Sequence, residues 1–200
     1  MTAFRPIGAT PFLCPLPVVL LGCADASRSE RAGNLITAAW CGVVNTKPPM
    51  LSVSIRQSRY SHHLIAESGE FTVNLVNRPI TRACDLCGVV SGRDTDKFAA
   101  ARLTPVPAEG VSAPGVGESP VILSCRVASV TPLGSHDLFL ANIVQVSVQE
   151  RYFRKDGSID MAAMRLTAYA HGEYFPLADP VGFFGFSVAS PQAVRKRAKR

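Results

Sequence analysis

Alternating apolar and polar residues along the chain predict β-strands with one buried face. The pattern is clearest from Met50 to Arg56, where leucine, valine and isoleucine alternate with Ser52, Ser54 and Arg56. The same period of two recurs from Phe71 to Leu75. Both segments are therefore predicted to be strands, and the first is predicted to be half-buried with a hydroxyl-lined polar face.

A β-hairpin is predicted at the start of the chain. An apolar strand over 18–24 is followed by a polar turn over 25–31 and by a returning arm over 32–40. The returning arm is rich in Asn, Thr, Ala and Gly, whereas packed strands favour bulky β-branched and aromatic residues. Two interpretations stay open. Either a flat ligand lies against the backbone and bonds to Asn34 and Thr37, or the arm is a tight strand crossing inside a barrel.

The other predicted elements are two long strands and several short helices. Val121–Val127 and Val144–Val148 alternate and are joined by a turn over 132–135. The predicted helices are 61–68, with Ser61 as N-cap and Gly69 as its stop, then 81–87 and 94–101. The remaining segments are a proline turn at 47–49, a loop over 105–120, a tight turn at 156–157, a last strand or extended segment over 169–175 and an apolar tail over 181–186. Strands at hairpin spacing with few helices indicate a mainly antiparallel β-barrel.

Length and composition predict one domain. The chain has 200 residues and 47% hydrophobic content, enough for one full core. Proline-rich residues 1–16 are predicted to form an arm over the barrel or over a partner subunit, before a domain over 17–190. The longest apolar run is far shorter than a membrane span, and prolines interrupt any secretory-signal pattern, so we expect a cytoplasmic protein with no membrane partner.

Charge is concentrated at the end of the chain. Five of the six net positive charges belong to residues 195–200, within a tail over 191–200 that we expect to be disordered. The rest of the chain is nearly neutral. Nucleic-acid binding by the folded domain is therefore not expected.

Six cysteines occur mostly inside apolar segments, which favours buried, reduced thiols. Cys84 and Cys87 form a C-x-x-C, which is compatible with a redox dithiol, with half of a zinc site, or with helix residues beside a cofactor. The sequence has no second C-x-x-C or C-x-x-H, and His62 and His63 lack the i, i+4 spacing of a metal pair. We therefore predict no metal and favour the third interpretation.

Seven segments, taken together and in order, resemble the flavin reductase-like, FMN-binding split-barrel family that includes flavoredoxins. No single segment is specific, but the ordered set spans nearly the whole chain. The segments are Pro17–Leu20, Asn34–Trp40, Pro48–Ile55, Gly69–Leu75, Cys87–Gly92, Asp96–Phe98 and Gly134–His136. The resemblance implies a mainly β fold, an antiparallel, Greek-key-like FMN-binding split barrel with a few short helices.

A phosphate site is expected at the helix that opens near Ser61. Free backbone N–H groups and the positive end of the helix dipole attract anions, and Arg59 lies just before the helix. The resemblance implies that Ser61 and Lys97 bind the FMN phosphate, with Ser91 close to them. The family usually has Thr in place of Ser61, so the hydroxyl is kept.

The flavin ring is expected to lie against the returning arm of the first hairpin. Trp40, the only tryptophan, is large enough to wall one end of the ring system. The resemblance implies further contacts with FMN from Asn34, Leu35, Thr37, Ala38, Ser52, Val53, Ser54, Tyr174 and Phe175.

His136 is the candidate catalytic residue. It follows a Pro-x-Gly turn and opens a long strand, where it can donate to the flavin or to a nicotinamide. A few residues later the chain has Ala141-Asn142-Ile143 where the family commonly has Gly-Glu-Val. The sequence has no dinucleotide-binding glycine motif, so NADH or NADPH is expected to lie over the flavin in an open cleft.

Two functions fit these residues. The first is an NAD(P)H-dependent flavin reductase that passes electrons to free flavin, oxygen or a redox partner protein. The second is a non-catalytic, flavoredoxin-like FMN electron carrier. A homodimer is expected in either case, because an open split barrel with a proline-rich arm needs a cover.

Overall fold

The computed structural model describes residues 2–192. Short strands and two long ones make up most of the regular structure. The strands are β1 (Leu16–Pro17), β2 (Val19–Cys23), β3 (Asn34–Ala38), β4 (Cys41–Asn45), β5 (Met50–Ile55), β6 (Glu70–Leu75), β7 (Pro105–Val106), β8 (Gly115–Val116), β9 (Val121–Pro132), β10 (Asp137–Val148), β11 (Thr167–Ala170) and β12 (Glu173–Pro176). The α-helices are α1 (Tyr60–Ser68), α2 (Thr81–Val89) and α3 (Lys97–Ala101), and 3-10 turns lie at Arg78–Ile80, Glu150–Tyr152 and Phe186–Val188.

A seven-stranded antiparallel sheet organises the fold, in the order β3-β2-β6-β9-β10-β5-β4. Val19 pairs with Ala38 across β2 and β3, which confirms the predicted first hairpin. β5 pairs with β10 near the other edge, with Ile55 opposite Asp137. β1, β11 and β12 form a small second sheet, and β7 pairs with β8. The prediction of a mainly β, antiparallel fold with a few short helices is confirmed.

The main sheet buries residues on both of its faces near β2. On one face, Leu21 packs with Val53, Phe71 and Phe139 in the main core. On the other face, Leu20 and Leu35 pack with residues of α2 and α3, including Cys84 and Phe98. Because β2 is covered on both sides, all its residues are apolar or small.

Helix α2 covers one face of β3. Leu35 is fully buried in the second core, and the Thr37 hydroxyl donates a hydrogen bond to the carbonyl of Cys84 in α2. The small residues of β3 thus let α2 approach the sheet closely.

Two local predictions differ from the structure, and a third strand, β6, is more deeply buried than its alternation alone indicates. The expected loop over 105–120 contains the short β7–β8 hairpin. The single last strand expected over 169–175 is a hairpin of β11 and β12, which turns at His171 and Gly172, both with positive φ. β6 is buried on both faces, because Thr72 and Asn74 bond inside the fold.

The termini carry exposed apolar side chains. Residues 2–15 are exposed, and so are Val181 and Phe184. No helix among the described residues is long and apolar enough to cross a membrane. Most of the predicted disordered tail, from residue 193 onward, lies outside the described residues.

Candidate functional site

Two neighbouring cavities open beside β3 and the start of α1. The first, here called the tryptophan cavity, has a volume of about 280 Å³. The second, the lysine cavity, has a volume of about 120 Å³. Ile36 and Arg59 line both, so the two cavities are adjacent. Their combined volume falls within the range of roughly 300–1,000 Å³ that is usual for small-molecule sites.

The tryptophan cavity collects residues from β3, β5, α2 and β12. Seven of the residues singled out in the sequence line it, namely Thr37, Ala38, Trp40, Ser54, Arg59, His136 and Tyr174. Tyr169, Gly88 and Arg56 also line it and were not predicted. Arg56 continues the polar face of β5 that carries Ser54, so the alternation of that strand was a usable signal for it.

Trp40 and His136 lie side by side at this cavity. Their ring centroids are 4.7 Å apart, with the planes tilted by 36°. Trp40 is held in the turn between β3 and β4, where its carbonyl accepts a hydrogen bond from the Ser54 N–H at 2.9 Å. The indole is 44% exposed, so Trp40 is not a core residue. Burial, together with the positive charge of Arg56, lowers the pKa of His136.

Tyr169 and Tyr174 supply a second aromatic part of the wall. Their rings meet edge to face with centroids 5.5 Å apart. The Tyr174 hydroxyl donates to Oδ1 of Asp85 at 3.0 Å, which fixes the β11–β12 hairpin against α2. Burial and the bond to Asp85 raise the pKa of Tyr174 above its usual range. The phenol is therefore a neutral hydrogen-bonding group at physiological pH.

The lysine cavity lies at the N-terminus of α1. The predicted residues Arg59, Ser61, Ser91 and Lys97 line it, together with Gly92 and Cys87. α1 has no side-chain cap and no acidic residue in its first turn. None of the described residues that line this cavity is acidic. The free backbone N–H groups, the helix dipole and two cationic side chains thus favour an anion here.

Ser61 lies inside α1 and is not its N-cap. The cap position is Arg59, and the Ser61 side chain is buried. Ser61 Oγ accepts a hydrogen bond from Asn34 Nδ2 at 2.7 Å, which ties α1 to β3. The expected end of the helix is confirmed, because Gly69 adopts a left-handed conformation with φ of 67° and donates to the Ile65 carbonyl.

A buried polar atom is left without a partner next to this bond. Asn34 is 3% exposed, and its Oδ1 has no hydrogen-bond partner within the described part of the chain. Gly92 approaches so closely that a Cβ there would lie 2.1 Å from that oxygen. Buried carbonyl oxygens normally have a donor. A bound ligand or ordered water beside Gly92 would supply one.

Lys97 is a buried cation at the start of α3. The side chain is 4% exposed, and its Nζ donates to the Cys87 carbonyl at 2.7 Å. Burial lowers the pKa of Lys97. A buried ammonium without a carboxylate partner is costly, and an anion in the lysine cavity would offset that cost.

Five of the predicted site residues line neither cavity. They are Asn34, Leu35, Ser52, Val53 and Phe175. Leu35 and Val53 are fully buried core residues, and Asn34 acts through Ser61. Ser52 and Phe175 lie on the same strands as Ser54 and Tyr174.

The C-x-x-C motif forms no metal or disulfide site in the described residues. Cys84 and Cys87 are free thiols buried in α2. Burial raises the pKa of Cys84 to about 12 and that of Cys87 to about 11. No cluster of three potential metal ligands exists among residues 2–192. The two cysteines are helix residues that pack beside the cavities.

Comparison with known proteins gives matches in both sequence and overall fold. Residues 12–178 match the family model of the flavin reductase like domain. Flavoredoxin of Desulfovibrio vulgaris (Miyazaki F) superposes with a TM-score of 0.86 and 31% identity, over 94% of this chain and 100% of that chain. Flavoredoxin from Methanosarcina acetivorans gives a TM-score of 0.82 and 28% identity, over 94% and 100%.

A curated relative has a more specific name. The NADH:riboflavin 5'-phosphate oxidoreductase of Streptomyces pristinaespiralis is 26% identical over 132 residues, which cover 64% of this chain and 67% of the relative. Together these matches confirm the split-barrel architecture and support flavin binding by this chain.

Proposed function

Because this chain belongs to the flavin reductase-like domain family, we propose that it is an FMN-dependent oxidoreductase that accepts electrons from NADH or NADPH. One observation carries the proposal. The tryptophan cavity, which is lined by aromatic rings, and the lysine cavity, which is cationic, share Arg59 and Ile36. A single ligand with a flat ring and an anionic end therefore fits both.

The lysine cavity suits the phosphate of FMN. Lys97 and Arg59 supply positive charge, and the uncapped start of α1 supplies backbone N–H donors. Ser61 Oγ accepts from Asn34, and a hydroxyl that accepts one hydrogen bond can also donate one to a phosphate oxygen. A dianion is recognised best by such a set of charge-assisted donors.

The tryptophan cavity suits the isoalloxazine ring. Thr37, Ala38 and Ser54 give it small and polar walls, and Trp40 with His136 closes one part of it. When bound, the flavin supplies the redox chemistry, because it accepts a hydride from a reduced nicotinamide and passes the electrons on. The residues of this chain bind the ring, orient it and limit access of water.

His136 is proposed as the residue that contacts the reacting partners. Burial and the positive charge of Arg56 lower its pKa, which favours the neutral imidazole. Nδ1 of His136 already lies 2.9 Å from Ser135 Oγ, so Nε2 is the ring nitrogen that can form a hydrogen bond with the other reactant. This role agrees with its position at the rigid start of β10.

A second candidate function is that of an electron carrier. It is favoured by the two superpositions with flavoredoxins, both of which span the whole of those chains. In that case FMN would stay bound, and a redox partner protein would reduce it in place of a nicotinamide. For both candidate functions we propose a cytoplasmic location.

The spectrum of the purified protein tests FMN binding. A yellow protein with the two visible flavin bands is expected, and a colourless protein that takes up no FMN would contradict both functions. Anaerobic mixing with NADH and with NADPH then separates them. Prompt bleaching of the flavin identifies a reductase, whereas a flavin that stays oxidised identifies a carrier.

We also propose that the protein is a homodimer. The exposed side chains at both termini include Phe4, Leu13 and Phe184, each more than three-quarters exposed. Large exposed apolar side chains of this kind are suited to an interaction surface. A second copy of the chain would cover the arm and the apolar tail.

A further inference from the structure

Arg56 and His136 are neighbours across two paired strands. Asp137 lies opposite Ile55 in the antiparallel register of β10 and β5. One step further along this register brings His136 opposite Arg56. Both residues line the tryptophan cavity, and the charge of Arg56 reaches the imidazole strongly enough to lower its pKa.

No carboxylate within residues 2–192 forms an ion pair with Arg56 or His136. Among the described residues, the Arg56 guanidinium makes no hydrogen bond or ion pair, whereas Arg31, Arg126 and Arg154 each have an acidic partner. Asp137 is adjacent in sequence, but Gln57 donates to its Oδ1 and His62 contacts its Oδ2, each at 2.8 Å. Asp137 thus pairs with Gln57 and His62, and among the described residues it forms no ion pair with Arg56.

The cations of the site divide between the two cavities. Lys97 lines the lysine cavity, and Arg59 lines both. Arg56 lines only the tryptophan cavity, beside His136 and Ser54. The FMN phosphate is therefore served by Lys97 and Arg59, which leaves Arg56 as a cation at the ring end of the site.

We propose that Arg56, together with His136, forms a second anion site that binds the phosphate of the other reactant at the flavin ring. This inference rests on the proposed function for the identity of that reactant. The chemistry is a phosphate ester or diphosphate attached to a flat heteroaromatic ring. It belongs equally to a nicotinamide dinucleotide donor and to a second flavin nucleotide acceptor.

The first measurement does not depend on turnover. Inorganic pyrophosphate is titrated calorimetrically into the FMN-loaded protein at low ionic strength, where charge interactions are least screened. We expect Arg56→Gln to weaken pyrophosphate binding about tenfold, as for the loss of one charge-assisted hydrogen bond, and Arg56→Lys to weaken it less. The matched control is Arg82→Gln, an exposed arginine on α2 that lines neither cavity.

Steady-state kinetics then distinguish the two sources of the phosphate. If the donor binds here, Arg56→Gln raises the KM for NADH or NADPH with either acceptor and changes kcat little. If a second flavin binds here, the variant raises the KM for FMN as acceptor but not the KM for riboflavin. Either result supports the anion site.

Three results would overturn the inference. They are unchanged pyrophosphate affinity in Arg56→Gln, an equal loss in Arg82→Gln, and a loss of bound FMN as large as that in Arg59→Gln. The last result would show that Arg56 helps to bind FMN itself and not the other reactant. If the parent protein is not reduced by any nicotinamide, the proposed reductase function fails, but the pyrophosphate titration still decides whether Arg56 builds an anion site.

Discussion

Nε2 of His62 lies 2.8 Å from Oδ2 of Asp137, and this contact joins the first turns of α1 to the start of β10. Gln57 donates to the other carboxylate oxygen at 2.8 Å. The ring of His62 also meets the fully buried Phe139 edge to face, with centroids 5.2 Å apart. Asp137 thus connects three segments next to His136, and it fixes the strand end that carries the candidate catalytic residue.

Replacing Asp137 with Asn should make the free energy of unfolding less dependent on pH in the acid range. The hydrogen bond from Gln57 and the contact with His62 lower the pKa of Asp137 in the folded protein. Its stabilising contribution is therefore complete above the unfolded pKa and is lost as pH falls through the folded pKa. Urea unfolding at several pH values from about 2.5 to 6 should show a shallower acid slope in Asp137→Asn. Asp179→Asn, at an exposed position, should keep the parent slope.

Lys97→Ala should discriminate FMN from riboflavin. The substitution removes a buried ammonium from the lysine cavity, and a charge-assisted hydrogen bond is worth roughly 1.5–3 kcal/mol. FMN affinity should therefore fall about tenfold to a hundredfold, whereas riboflavin, which has no phosphate, should bind parent and variant almost equally. Fluorescence titration of each flavin measures this, with the exposed Lys155→Ala as control. Unchanged FMN affinity would move the phosphate site away from Lys97, toward Arg59.

Trp40→Ala should weaken FMN and riboflavin by similar factors, because the indole lines the tryptophan cavity and not the lysine cavity. Since Trp40 is already 44% exposed, the substitution should cost less than the roughly 3–5 kcal/mol of a buried aromatic truncation. Trp40 is the only tryptophan, so its emission in the parent should be quenched as the flavin binds. Emission that does not respond to FMN would show that the ring binds elsewhere.

Only Cys14 should react rapidly with a thiol reagent in the native protein. Cys14 is exposed, whereas burial raises the pKa of Cys23, Cys41 and Cys87 to about 11 and that of Cys84 and Cys125 to about 12. The thiolate is the reactive form, so these five should react slowly at pH 8. Ellman's reagent should count one fast thiol in the native protein and six after unfolding. Cys14→Ser should lose the fast thiol, and a fast pair at Cys84 and Cys87 would instead revive the redox interpretation.

Light scattering coupled to size exclusion should give the mass of two chains at micromolar concentration. The apolar arm is the expected cover, so deletion of residues 2–13 should weaken the dimer while leaving β1 intact. Replacing both Phe4 and Leu13 by Ser, which keeps the chain length, should weaken the dimer in the same way. A monomeric parent protein would refute the homodimer.

The sequence was most informative where local pattern and burial agree. The alternation of β5 and the glycine that ends α1 at residue 69 both predicted the observed structure, because each depends on neighbouring residues only. The β11–β12 hairpin was missed because its turn, His171–Gly172, is not one of the strongest turn pairs. Ser61 was predicted as a cap from its residue type, but its bond to Asn34 spans 27 positions and is set by tertiary packing.

The site residues likewise divide into those that a local motif predicts and those whose position depends on tertiary packing. Trp40, His136 and Lys97 were found through ordered motifs, and the structure brings their side chains to the cavities. Asn34 and Leu35 belong to the same motif, yet β3 alternates, so these two face α1 and the second core. Tyr169 was missed because it reaches the cavity through a small separate sheet.

The guanidinium of Arg59 borders both cavities, so a ligand that enters one is already within reach of the other. A ligand whose ring and phosphate are joined by a short flexible chain binds as a chelate. Once one group is bound, the other meets its cavity at an effective concentration on the order of millimolar or higher. A ring fragment and inorganic phosphate, added separately, each lose overall translational freedom and gain nothing from one another. The nucleotide that covalently links them should therefore bind far more tightly than the two fragments do.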